Sequence, residues 1–166
     1  MERYITLGLS LGAVNVVPFK ISDIMFDERT ALKCAFGCTD WGKSHTCPYM
    51  RSPLSVWEYR KIFERFSRGL IIHGKTKQFS QRASLAIEKA AFLDGYYFAF
   101  SLSDCAFCDT CAGTVGKPCR NERDARPAFH SVGIDVFKTV HGLGLPLSPL
   151  KTDDDDQNWY SAVFIE

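Results

Sequence analysis

No apolar run in this 166-residue chain approaches the roughly 20 residues that cross a bilayer as a helix. Glu2 and Arg3 lead into an alternating segment rather than a long apolar stretch before a small-residue cleavage site. A secretory leader is therefore not expected, and the default location is the cytoplasm. An excess of one charge is missing too. Lys and Arg number 20 against 19 Asp and Glu, and a formal net charge of +1 draws the chain toward neither nucleic acid nor an anionic membrane. There is no glycine-rich phosphate loop, dinucleotide fingerprint, serine nucleophile elbow or HExxH helix, which weakens nucleotide-dependent and hydrolytic readings.

What the chain does have is seven cysteines. Its length suits a single cysteine-rich domain over 1–166, large enough to bury a core without covalent staples. In a reducing compartment clustered thiols bind metal or do redox chemistry more often than they form a disulfide framework, and an odd count fits that preference.

Four cysteines form one group. Cys105-Ala-Phe-Cys108-Asp-Thr-Cys111 sets three thiols two residues apart, twice, and Cys119 follows in Lys117-Pro118-Cys119-Arg120. Such a turn wraps one corner of a [4Fe-4S] cubane, with the fourth iron taken by the more distant cysteine. Bacterial ferredoxins open the same way but place proline after the fourth cysteine, whereas here it precedes it. Zinc is the alternative. Structural zinc sites pair two separated C-x2-C units, which leaves the third cysteine without a place. Gly113 and Gly116 suit a backbone that bends around a cluster.

The other three are Cys34, Cys38 and Cys47, one thiol short of a full set. They read as a zinc site completed by His45, as a [4Fe-4S] cluster with one open iron that takes a substrate, or as packed thiols. A composite site drawing on both groups is a fourth arrangement. Lys33 and Lys43 stand beside this group and would lower nearby thiol pKa values, or are simply solvated. Trp41 and Phe107 read as apolar shielding. Arg120 and Arg126 would offset cluster charge, bind an anion, or be ordinary surface arginines. His130 and His141 lack ligand spacing and read as structural.

Around these groups the chain alternates strands and helices. Ile5, Leu7, Leu9 and Leu11 alternate as an opening strand, and Val14 to Lys20, with Pro18, is an edge strand or loop. Residues 33–51 read as loop. Ser52 and Pro53 start a helix whose inner face is Val56, Tyr59, Phe63 and Phe66, stopped near Gly69. Leu70 to His73 is a buried strand. Ser80 caps a helix with Ala86, Ala90 and Leu93 inside, flanked by Ile87 and Ala91, and Gly95 ends it. Tyr96 to Leu102 is a strand running into Cys105. A short helix from Pro127 stops at Gly133, and Asp135 caps another through Val140. Asp153 to Asp156 is a solvated turn without EF-hand spacing. Trp159 to Ile165 is the last strand. The expected fold is α/β or α+β, a small mixed sheet packed by helices with cysteine-rich loops at one end.

At Lys33-Cys34 to Cys38, Trp41-Gly42-Lys43 and Cys47-Pro48 the chain resembles the uncharacterised family of predicted metal-binding, cysteine-rich proteins, common in anaerobic bacteria and archaea. The resemblance continues through Phe92-Leu93-Asp94-Gly95-Tyr96, Cys105, Cys108 and Cys111. It extends to Pro118-Cys119-Arg120, Ala125-Arg126-Pro127 and Gly133-Ile134-Asp135-Val136. The chain departs from the family at Tyr49, where a second proline is frequent. The resemblance implies metal binding through these cysteines, most naturally iron–sulfur, and supplies no reaction. Two functions follow. One is a redox iron–sulfur protein, fed by a ferredoxin or reductase and acting on a small reducible substrate. The other is a zinc-stapled binding module without catalysis.

Overall fold

The computed structural model describes residues 1–52, 54–152 and 154–166. Its centre is a sheet of four strands, β1 (Asn15–Lys20), β2 (Arg68–Gly74), β3 (Phe100–Ser103) and β4 (Trp159–Phe164), in spatial order β1-β2-β4-β3. Every pairing is antiparallel, so the fold is α+β. The helices are α1 (Glu2–Ser10), α2 (Thr30–Gly37), α3 (Pro48–Arg51), α4 (Val56–Phe63), α5 (Lys77–Leu93) and α6 (Val136–Gly142).

β2 is central and buried on both faces, which is why Leu70-Ile71-Ile72 reads as an unbroken apolar run. The two-residue side-chain period divides it between two cores. Leu70 and Ile72 pack with Tyr4, Val16, Ile87 and Val163 on the α1/α5 side. Ile71 packs on the other side with Phe19, Leu102, Ile134, Val140 and Phe164. Pro18 sits in β1, an edge strand, where a missing N–H is tolerated.

Residues 5–11 are not a strand. Residues 5–10 belong to α1, Leu11 is its C-cap, and the buried contacts of the helix run through Tyr4 and Gly8, one turn apart. Leu9 and Leu11 are each 46% exposed. The alternation of leucines was fortuitous, and the helical period was hidden because Gly8 is the inward position. A side chain there would meet Val16 Cγ2 at 2.7 Å.

The helix expected from Ser52 begins at Ser55 instead. Ser55 and Glu58 form a reciprocal capping box that satisfies two end groups at once. Pro53 lies outside the described residues. The helix ends at Phe63 rather than near Gly69, so of the expected inner face Val56 and Phe63 are buried and Tyr59 half-buried on α4, while Phe66 lies beyond it. Thr76, not Ser80, caps α5. Ser80 is buried and donates its hydroxyl to Ser161 Oγ (2.8 Å). The inner face of α5 is Ser80, Gln81, Ser84, Ile87 and Ala91, and Leu93 is 72% exposed. Paired polar groups occupy core positions here, and a hydrophobic count assigns the stripe to the wrong neighbours.

Residues 33–51 contain α2's end and α3 rather than loop alone. β3 begins only at Phe100. Gly133, at φ +91°, ends a single 3-10 turn, and Asp135 caps α6 by accepting from Lys138 N–H (3.0 Å). Of the aspartate run, Asp155 accepts from the backbone of Lys151 and Thr152, and Asp156 pairs with Lys75. Asp153 is outside the described residues.

Candidate metal centre

Three elements of the sheet layer end together. β2 finishes at Gly74 opposite Trp159, where β4 begins, and β3 finishes at Ser103, two residues before Cys105. α5 starts at the same edge with Lys77. A cavity of about 340 Å³ opens there, and all seven cysteines line it, with Lys77 and Trp159 on its wall. Every cysteine is a free thiol, so no disulfide framework forms.

The first segment reaches the cavity from two helix ends. Cys34 lies on the inner side of α2 and is only 5% exposed, Cys38 follows the last residue of α2, and Cys47 precedes Pro48 at the first position of α3. Burial, with Cys38 and Cys47 adding to it, pushes the Cys34 thiol up to about 11. Gly42 N–H donates to Cys47 Sγ (3.3 Å). Cys38 is exposed.

In the second segment Cys105 is exposed and Cys108, Cys111 and Cys119 are half-buried. Asn121 Nδ2 donates to Cys108 Sγ (3.3 Å). Burial pushes the Cys105 thiol up, against hydrogen bonds from the Phe107 backbone and the Gln81 side chain, while Cys119 and Cys108 add to the rise. At Cys111 burial is outweighed. Hydrogen bonds from the backbone of His45, Gly113 and Thr114 and from the Ser44 side chain hold that thiol below its ordinary value.

Those bonds from Ser44 and His45 cross from one cysteine segment to the other. The same junction is tight in its backbone. A Cβ on Gly113 would lie 2.3 Å from Lys43 O and 3.2 Å from His45 N, so only glycine fits. His45 Nε2–H donates to Lys117 O (2.6 Å), which makes His45 a bridge between the loops. Arg51 donates to His45 O and lies 3.9 Å from Glu122 across the same seam.

The remaining predicted residues separate by position. Trp41 lines the cavity and packs on Tyr49 at 5.5 Å between ring centroids. Arg120 and His130 line it as well. Arg126 is turned into a half-buried ion pair with Glu88 and lies over the Phe100 ring, a structural role. His141 donates to Leu147 O (2.7 Å). Lys33 is exposed, Phe107 half-buried, and Lys43 Nζ is 3.4 Å from Thr39 O.

Sequence reasoning missed Gln81, Ser44, Asn121, Lys77 and Trp159. Gln81 alone carried a signal, a long amide at a helical spacing otherwise filled by small or apolar side chains.

The donor set fits a thiophilic metal group: seven thiols around one space, with N–H groups aimed at several of them. Among the described residues no three His, Cys, Asp or Glu side chains gather tightly enough for a single metal ion. No curated protein and no solved structure matches the chain. A family model does match, over residues 18–165, a span that contains both cysteine groups, and the chain belongs to that family, the predicted metal-binding proteins (DUF2284).

Proposed function

We propose that this protein is an iron–sulfur redox protein with two centres on one cavity. Cys105, Cys108, Cys111 and Cys119 would hold a [4Fe-4S] cluster. Cys34, Cys38 and Cys47 would hold a second whose fourth iron faces the shared space. The cluster chemistry supplies electrons one at a time. The protein's own part is to set thiol spacing, aim N–H groups at the sulfurs and leave room beside the incomplete ligand set. A small reducible molecule in the cavity would be the substrate, with a ferredoxin or reductase as electron source.

The observation that carries this reading is the convergence of all seven thiols on a single cavity. Seven thiols exceed the four that a structural zinc site takes. The C-x2-C-x2-C turn has the ligand pattern of a polynuclear cluster. The test is metal and acid-labile sulfide analysis of oxygen-free protein, with its visible absorption. A broad band near roughly 400 nm with iron and sulfide in equal amounts supports the reading. Colourless protein carrying zinc and no sulfide overturns it in favour of a metal-stapled binding module.

A further inference from the structure

Gln81 is fully buried, yet it lies on α5, outside both cysteine segments. A buried amide is costly unless its polar atoms are paired, and a helix packed through serine, alanine and isoleucine has no packing need for one. The pairing of Gln81 is specific. Its Oε1 accepts the backbone N–H of Ala106 (2.8 Å), just after Cys105. Its Nε2 donates to Asp124 O (3.3 Å), five residues beyond Cys119. One side chain therefore ties the entry of the four-cysteine loop to its exit. The Ala106 N–H fixes the amide orientation, because only the carbonyl oxygen accepts. The NH2 group then donates to Asp124.

We propose that Gln81 is the positioning residue of the four-cysteine centre, clamping both ends of its loop from inside the core. The proposal rests on the iron–sulfur reading only for its consequence at the metal: a loop held at both ends keeps its thiols spaced for the cluster. The clamp itself acts in the metal-free chain as well.

The test compares Gln81→Met, which keeps length and loses the polar atoms, with Gln81→Glu, which keeps shape and turns a donor into an acceptor. Both are measured in the full chain. Loss of iron from the four-cysteine centre to a chelator is timed in a background in which Cys34, Cys38 and Cys47 are serine. Gln81→Met is expected to speed it about tenfold. Gln81→Glu, which keeps the acceptor for Ala106, speeds it less. Unchanged rates in both variants overturn the positioning role. A metal-independent reading accompanies it, hydrogen exchange at the Ala106 amide in protein stripped of metal. Gln81→Met should speed that exchange at least tenfold relative to the amides of β2, and unchanged protection overturns the clamp. If the wild type takes up no iron, the iron–sulfur reading fails, and the exchange result still decides the clamp. Gln81→Asn, with the same groups on a shorter stem, separates a misfolded variant from a lost contact. A native melting curve with fast Ala106 exchange is the expected result, and native protection contradicts the proposal.

Discussion

The two cysteine segments share a cavity but are held in different ways. The segment from Cys105 to Cys119 issues directly from β3, is clamped from behind by Gln81, and has Asn121 Nδ2 donating to Cys108 Sγ. The segment from Cys34 to Cys47 hangs between two short helices, with Gly42 N–H donating to Cys47 Sγ. On the proposed reading, the four-ligand centre would hold its metal and store electrons. The three-ligand centre would leave a coordination position available for chemistry.

The strongest way to break this comparison is at the seam. Gly113→Ala drives a Cβ into Lys43 O and should cost about 3 kcal/mol, the upper end of overpacking. Both centres should lose metal together, because the seam carries the Ser44 and His45 bonds to Cys111. Loss from one centre alone, by metal analysis, would mean that the segments are independent. Next in size is Glu88→Ala. Glu88 and Arg126 are each about 15% exposed at the side chain, and Glu88 Oε2 also accepts from Ser101 N–H (2.7 Å). Breaking a buried pair is worth about 2–4 kcal/mol here, discounted for residual exposure. Since Arg126 follows the four-cysteine loop, urea unfolding should show the loss while the three-cysteine centre keeps its metal.

A smaller effect separates the sheet from the cysteine end. His73 is buried against Tyr160, with Asn15 and Asn158 on its nitrogens. Burial lowers its pKa, against the Asn158 hydrogen bond, with Lys75 lowering and Asp156 raising it. The unfolded chain then binds the proton more readily. Its stabilising contribution is complete above the unfolded value of about 6.5 and is lost as pH falls through the lower folded value. Wild type should lose more unfolding free energy than His73→Gln between pH 7.5 and 5.5, and equal losses would reject the assignment. The smallest effect is at Ser55, where Ser55→Ala removes the α4 cap for about 1 kcal/mol by thermal melting, leaving both centres filled.

The sequence made β2 and β4 plain because continuous apolar runs suffice for strands buried on both faces. It concealed α1, whose contact residue is a glycine, and shifted the inner face of α5, where paired serines and a glutamine stand in core positions. Both cysteine groups could be read from spacing. What joins them could not. The Gln81 to Ala106 bond spans 25 residues and the His45 to Lys117 bond spans 72, and no local pattern encodes contacts at that distance.

The most direct test of the two-centre account is the iron and sulfide content per chain in oxygen-free wild type and in a variant with Cys34, Cys38 and Cys47 replaced by serine. The account predicts about eight irons falling to about four, two cubanes reduced to one. Equal iron in the two proteins, or zinc without sulfide in both, would contradict it.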